Sequence, residues 1–132
     1  MTEPGGFAGL ATLVTGASGI LGSWLVHRLL ADGATVVALL RDEDPRSQLW
    51  RSGDIGRIAR VRGTLEDPDL LERVLVEYEV EAIFHLGAQT QVRHAERHPL
   101  GTMEANVRGT YNVLEAARRV ATQNREIGRA HV

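Results

Sequence analysis

Eight residues constrain this chain more than any others: Thr15-Gly16-Ala17-Ser18-Gly19-Ile20-Leu21-Gly22. An apolar run, Leu10 to Val14, precedes them and an amphipathic one follows, so strand, glycine turn and helix come in that order. A glycine pattern in that context is a dinucleotide-binding signal. Gly16 permits a tight turn off the strand, Gly19 a close approach of backbone to a pyrophosphate, and Gly22 close packing of the new helix. The helix that begins near Ile20 aims its unpaired N–H groups and positive dipole end at phosphates.

The remaining composition mainly excludes. A chain of 132 residues is read as one domain. A net charge of −2 leaves no electrostatic footprint for nucleic acid, and Trp24 and Trp50 are too few and too far apart to stack bases. No apolar stretch has the length of a bilayer span, and Met1 to Gly9 carries an acid and no base, unlike a signal peptide. With no cysteine there is no disulfide, thiolate metal site or thiol nucleophile. A cytoplasmic location is expected. All 15 basic residues are arginine, which removes every lysine-dependent mechanism from this chain, a Tyr-x-x-x-Lys pair included.

Short aliphatic runs alternate with helical patterns. Strands are expected at Ala11–Thr15, Thr35–Leu40, Arg57–Arg62 and Glu81–Leu86. Leu21, Leu25 and Leu29 share a helical face, and Asp32-Gly33 supplies a glycine stop. Leu70, Leu71, Val74, Leu75 and Tyr78 form a second helical stripe, opened by Asp67-Pro68. Met103, Val107, Tyr111, Leu114, Ala117 and Ala121 predict a long last helix with Tyr111 in the core. Glu43 to Gly56 is irregular, with room for one short helix. The expected fold is α/β, a doubly wound parallel sheet of about four strands in the order 3-2-1-4, with helices on both faces.

A fourth strand left at the edge implies an incomplete sheet and a chain that is the N-terminal part of a longer protein. The last residues, Glu126 to Val132, read like a translated sequencing adapter. The expected division is therefore a dinucleotide-binding domain over 1–125 and a non-native tail over 126–132.

Several segments together resemble the extended short-chain dehydrogenase/reductases, the NAD-dependent epimerase/dehydratases of nucleotide sugars. The resemblance spans about residues 10 to 120 and implies a Rossmann-like sheet. Thr15 to Gly22 fits the family pattern T-G-x-x-G-x-x-G at every fixed position. Gly63-Thr64-Leu65-Glu66-Asp67 resembles G-D-L-x-D, whose aspartate and following backbone hold adenine. Thr64 replaces that aspartate, so Leu65 carries the implied contact. His85-Leu86-Gly87-Ala88-Gln89 resembles H-L-A-A-Q, a turn that the family lays along the cofactor's ribose and pyrophosphate. Asn106-Val107-Arg108-Gly109-Thr110 resembles N-V-x-G-T and implies that Asn106 supports the active site from behind. Gln89 to Arg93 is similar to the GDP-mannose and CDP-glucose 4,6-dehydratases, with Gln89 and Arg93 on the substrate side.

Ribose discrimination is expected at the end of the second strand, where an acid accepts from a 2′-hydroxyl and an arginine neutralises a 2′-phosphate. Leu40 stands at the usual acid position and is followed by Arg41 and Asp42. Arg41 favours NADP, and Asp42 would serve NAD. The implied cofactor set is thus Gly16, Ser18, Gly19, Ile20, Gly22, Arg41, Asp42, Leu65, Leu86, Gly87 and Ala88. His94 and His98 have helical metal spacing but no third ligand, so no metal is expected. His85 reads as a packed residue at a strand end, not a general base.

The resemblance implies the cofactor-binding part of a nucleotide-sugar dehydratase or epimerase, with transient hydride transfer at sugar C4. The parent is expected to pair as a homodimer, and neither nucleic acid nor membrane is an expected partner. This chain contains no catalytic residue of that chemistry. Two other readings stand beside it, a non-catalytic NAD(P)-binding sensor and a sugar reductase of the same family.

Overall fold

The computed structural model describes residues 6–87 and 96–130. Their described parts fall into two compact units, one within Met1–Thr64 and Tyr78–Gly87, the other within Leu65–Glu77 and Ala88–Val132.

The first unit is the sheet with its early helices. Strands β1 (Ala11–Thr15), β2 (Thr35–Leu40), β3 (Ala59–Arg62) and β4 (Ala82–His85) lie in the order β3-β2-β1-β4. All three pairings are parallel, with Leu13 opposite Val37 and Ile83, and Leu39 opposite Val61. β1 and β2 are aliphatic runs with no polar alternation, and residues of both alternating sets are buried in each. The end strands are shorter than expected. β3 starts at Ala59 because Asp54–Arg57 winds into a 3₁₀ turn, which occupies the first residue assigned to the strand.

Between β1 and β2 runs α1 (Ile20–Ala31). It stops as its sequence predicts: Gly33 takes φ +85°, its N–H donates to Leu30 O, and Ala34 N–H donates to Leu29 O. That pair of bonds is a Schellman cap. The buried face of α1 takes in only part of the leucine row. Gly22, Ser23, Val26 and Leu29 face inward, whereas Leu21 is 69% exposed. The reason is local. Gly22 must face the glycine turn, because a Cβ on it would lie 1.9 Å from Gly16 O. That requirement sets the rotation of the helix, and Leu21 and Trp24 turn outward with it.

Val14, Ala17, Val26, Leu29, Val36, Ala38, Leu40 and Leu49 form the apolar core of this unit. Leu49 comes from α2 (Gln48–Arg51), the short helix of the irregular segment. Asp54, buried just after it, is held by His27 Nδ1 at 2.9 Å and by Arg57.

The second unit is helical. α3 (Pro68–Glu77) starts with proline in its first turn, and the Asp67 carboxylate accepts from Leu70 N–H. It packs against the last helix. That helix is not the continuous element its spacing predicts: α4 (Pro99–Met103), a π turn (Glu104–Arg108) and α5 (Gly109–Ala130) follow one another. The π turn adds a residue and so rotates the face. α5 is buried through Gly109, Asn112, Val113, Ala116 and Val120. Tyr111, expected in the core, is 50% exposed, and Met103, Val107 and Leu114 are exposed with it.

Gly22→Ala tests the packing at the start of α1. Alanine improves helix propensity by about 1 kcal/mol. Its methyl would nonetheless overlap a backbone carbonyl, so the expected net change is a loss of roughly 3 kcal/mol or more. Gly56→Ala, with nothing within 4 Å of the added carbon, is the control and should shift stability by less than about 0.5 kcal/mol. Urea denaturation of the two variants checks both values.

Candidate functional site

Because β1, β2 and β4 are parallel and adjacent, their carboxyl ends share one edge of the sheet: Thr15 pairs with Leu39 on one side and His85 on the other. Ligands of open α/β sheets bind at that edge. The glycine turn leaves β1 there, Arg41 and Asp42 leave β2, and Leu86 and Gly87 leave β4.

Gly16 is where the sequence is least negotiable. Its φ is +72°, and a Cβ would fall 2.6 Å from Leu86 C and 2.7 Å from both Gly87 N and Leu86 O. The structure therefore brings Gly16, Leu86 and Gly87 into direct backbone contact. The turn then closes on itself: Gly19 N–H donates to Gly16 O, and Ser23 N–H donates to Gly19 O. Gly19 is the N-cap of α1, no side chain caps it, and the first turn of the helix holds no acid. Gly19 and Ile20 are exposed and Ser18 half-buried. An uncapped, acid-free helix start beside a glycine turn leaves N–H donors and a positive dipole end for an anion.

Thr15 bolts the two strand ends together. Its Oγ1 accepts from Leu86 N–H at 3.0 Å and Gly87 N–H at 2.9 Å, and lies 2.7 Å from His85 Nδ1. A hydroxyl has one proton. With both N–H groups donating to it, that proton goes to Nδ1, and the ring proton of neutral His85 is on Nε2. Burial lowers the His85 pKa below its ordinary 6.5. His85 is thus a neutral acceptor at a strand end, as its sequence context suggests.

Arg41 and Asp42 are exposed and 3.9 Å apart, and the preceding Leu40 is buried. Leu65 belongs to the second unit. There its carbonyl accepts from the Asn112 amide at 2.9 Å, and its Cβ would touch, at 3.0 Å, any Cβ placed on Gly109. Asn106 is half-buried within the π turn, where its carbonyl accepts from Thr110 Oγ1. Ala88, Gln89 and Arg93 lie outside the described residues, as does His94. Among the polar residues of these units that escaped the sequence reading are Asn112 and Ser47. Asn112 is a buried amide among apolar neighbours of α5, and Ser47 is a buried hydroxyl that donates to Ser18 O at 2.8 Å. Asn112 had a visible signal, a polar residue between buried positions of a helix. Ser47 had only the pattern of a helix cap.

A family model for GDP-mannose 4,6 dehydratase matches residues 13–129. The chain belongs to that family. Within it, the chain is 41% identical over 110 residues to a UDP-glucose 4-epimerase of Mycolicibacterium smegmatis, covering 83% of this chain and 35% of the relative. It is 30% identical over 121 residues to CDP-glucose 4,6-dehydratase of Salmonella typhimurium, covering 91% of this chain and 34% of that one. Among solved structures, UDP-glucose-4-epimerase of Stenotrophomonas maltophila, which has NAD and formylated UDP-arabinopyranose bound, superposes with a TM-score of 0.73 at 27% identity. The match covers 83% of this chain and 33% of that one. The epimerase Mth375 of Methanothermobacter thermautotrophicus gives 0.75 at 32% identity, covering 86% and 33%. This member of the family therefore spans about a third of the length of the relatives it matches.

Removing the Thr15 hydroxyl strands the Gly87 N–H and takes the partner from His85 Nδ1, while Leu86 N–H keeps its bond to Thr15 O. Thr15→Val should lower stability by about 2–3 kcal/mol, and Thr15→Ser by less than about 1 kcal/mol, in denaturant melts. His85 adds a pH dependence of definite sign. Its folded pKa is below the unfolded one, so the stability tied to the neutral ring is complete above pH 6.5 and is lost as pH falls from there through the folded value. His85→Gln should flatten that acidic decline in melts recorded across the interval.

Proposed function

We propose that this chain forms the NAD(P)-binding part of a nucleotide-sugar 4,6-dehydratase or epimerase. The observation that carries the reading is the glycine turn, with Gly16 at φ +72° under the Leu86–Gly87 backbone and an uncapped helix start beside it. These residues fit a dinucleotide because the exposed Gly19 meets nothing closer than 3.4 Å where a Cβ would stand, and the helix start that follows it has neither a side-chain cap nor an acid. When bound, the dinucleotide supplies a transient hydride acceptor for sugar C4. The chain's own residues bind and orient it. Gly16, Ser18, Gly19, Ile20 and Gly22 are assigned to the pyrophosphate: the N–H groups of the first turn of α1 donate, Gly19 gives clearance while its own N–H stays on Gly16 O, and Gly16 and Gly22 allow the turn and helix to pack. From the family resemblance, Leu86, Gly87 and Ala88 are assigned to the ribose and Leu65 to the adenine. From the same resemblance, Gln89 and Arg93 are assigned to the substrate and Asn106 to a supporting role. We assign these roles to residues 1–125 and treat 126–132 as a non-native tail.

We assign Arg41 to a 2′-phosphate, a reading supported by buried Leu40, which brings no carboxylate to the strand end. The competing assignment, Asp42 on the 2′-hydroxyl of NAD, is favoured by relatives solved with NAD, such as the enzymes of Brucella ovis and Thermus thermophilus. The parent is read as a cytoplasmic homodimer. Among the described residues no helix is long and apolar enough to cross a membrane, and the exposed row Met103, Val107, Tyr111 and Leu114 supports a pairing surface.

Calorimetry of the purified chain with NADP and NAD tests the assignment. Arg41→Ala should weaken NADP by about ten- to a hundredfold, the range of a charge-assisted bond, and leave NAD nearly unchanged. Loss of NAD affinity in Asp42→Asn, with Arg41→Ala silent, would give the ribose to Asp42. The chain has no lysine, so no turnover of any nucleotide sugar is expected from it alone, by chromatography of sugar products.

A further inference from the structure

The glycine turn is held from below by two serines that no binding motif includes. Ser23, on α1, donates from Oγ to Ala17 O at 3.0 Å. Ser47, 8% exposed, donates from Oγ to Ser18 O at 2.8 Å. Two successive carbonyls of the turn are thereby fixed toward the protein interior. Each hydroxyl has one proton, already given to a carbonyl, so the 3.3 Å approach of the two serine oxygens is packing. The lone pairs of Ser47 do a second task, accepting Leu49 N–H at 3.2 Å and capping α2.

The orientation of these peptides matters for an anion. In a trans peptide the N–H points opposite to the C=O. With Ser18 O pinned inward, the 18–19 peptide cannot flip and turn an oxygen outward, and the Gly19 N–H stays on Gly16 O. A carbonyl turned outward would present negative charge where the turn must accept phosphate. Ser47 also ends the 41–47 segment, whose first two residues are Arg41 and Asp42. One hydroxyl therefore links the phosphate turn to the ribose-reading segment.

We propose that Ser47 is a positioning residue for dinucleotide binding: it locks the 18–19 peptide of the glycine turn and fixes to it the segment that bears Arg41 and Asp42. The proposal rests on the dinucleotide reading above, and its test separates the two. Amide exchange is measured on the purified 132-residue chain and on Ser47→Ala, Ser47→Gly and Ser47→Thr without ligand, followed by titration with NAD and NADP. Glycine is an adequate helix cap and lacks the hydroxyl, so S47G isolates the tether from the cap, and S47T keeps both.

The expected result is Gly19 amide exchange about tenfold faster in S47A and S47G and near native in S47T, one hydrogen bond being worth about that factor. Affinity for both dinucleotides should fall by a similar factor in S47A and S47G, and the NADP-to-NAD ratio should move toward one. Native exchange and affinity in S47G, or equal losses in S47T, would overturn the proposal. So would loss of cooperative melting in S47A and S47G, which would assign Ser47 to folding. If the native chain binds neither dinucleotide, the reading of the site fails. The exchange data then judge the tether separately: fast Gly19 exchange in S47G alone upholds it, and unchanged exchange removes it.

Discussion

Three stretches of backbone meet around Gly16, and none leaves room for a side chain. The Leu86–Gly87 exit from β4 crosses on one side, the first turn of α1 closes on the Gly16 carbonyl from the other, and the residue itself sits at φ +72°. The rest of the sheet unit follows from this crossing. Gly22 must face the turn, so the rotation of α1 is decided before any leucine is placed. Thr15, one residue earlier, secures the crossing through its hydroxyl, which joins the ends of β1 and β4. What looks in sequence like a run of small residues is in space a fitted joint.

The joint also explains why the helix start is left bare. A side-chain cap or an early acid would stabilise α1 by roughly 1 kcal/mol. The chain uses neither. It satisfies the turn internally, by Gly19 N–H on Gly16 O and by serine hydroxyls on the two following carbonyls, and leaves the outer side polar and open. A site for an anion results from arranging backbone, with no basic side chain in the turn itself. Arginine enters only at the neighbouring strand end, as Arg41.

Much of this was legible in the sequence, and the boundary of what was legible is physical. β1, β2 and α1 begin and end where aliphatic runs, the glycine pattern and the Asp32-Gly33 stop place them. The strand order followed from alternation of strands and helices, and the family from the spacing of three glycines. Helix rotation was not legible. The leucine row of α1 satisfied the 3.6-residue period, yet Gly22 fixes a different face. Tyr111 failed for a related reason: a period marks a face but not which face packs, and α5 is buried through Gly109, Asn112, Val113, Ala116 and Val120 instead. The partners of Ser47 and Asn112 were not legible either, since each acts on a carbonyl far away in sequence. Ala88, Gln89 and Arg93 fall outside the described residues.

The order in which the chain must be assembled is written in the same joint. Thr15 and His85 are 70 residues apart, and β4 is the last of the described strands in sequence. Until it pairs with β1, the Leu86–Gly87 backbone is absent from Gly16 and the turn has only local bonds. Contacts of such long sequence separation form late and need the intervening loop closed first. The glycine turn is therefore a local motif in sequence and a late product of folding. Any ligand that requires it binds only the finished sheet, and each bound molecule adds RT ln(1 + [L]/Kd) to the free energy of opening it. Occupancy then governs lifetime: a cell that keeps the ligand abundant keeps the chain from unfolding and from the proteases that would remove it.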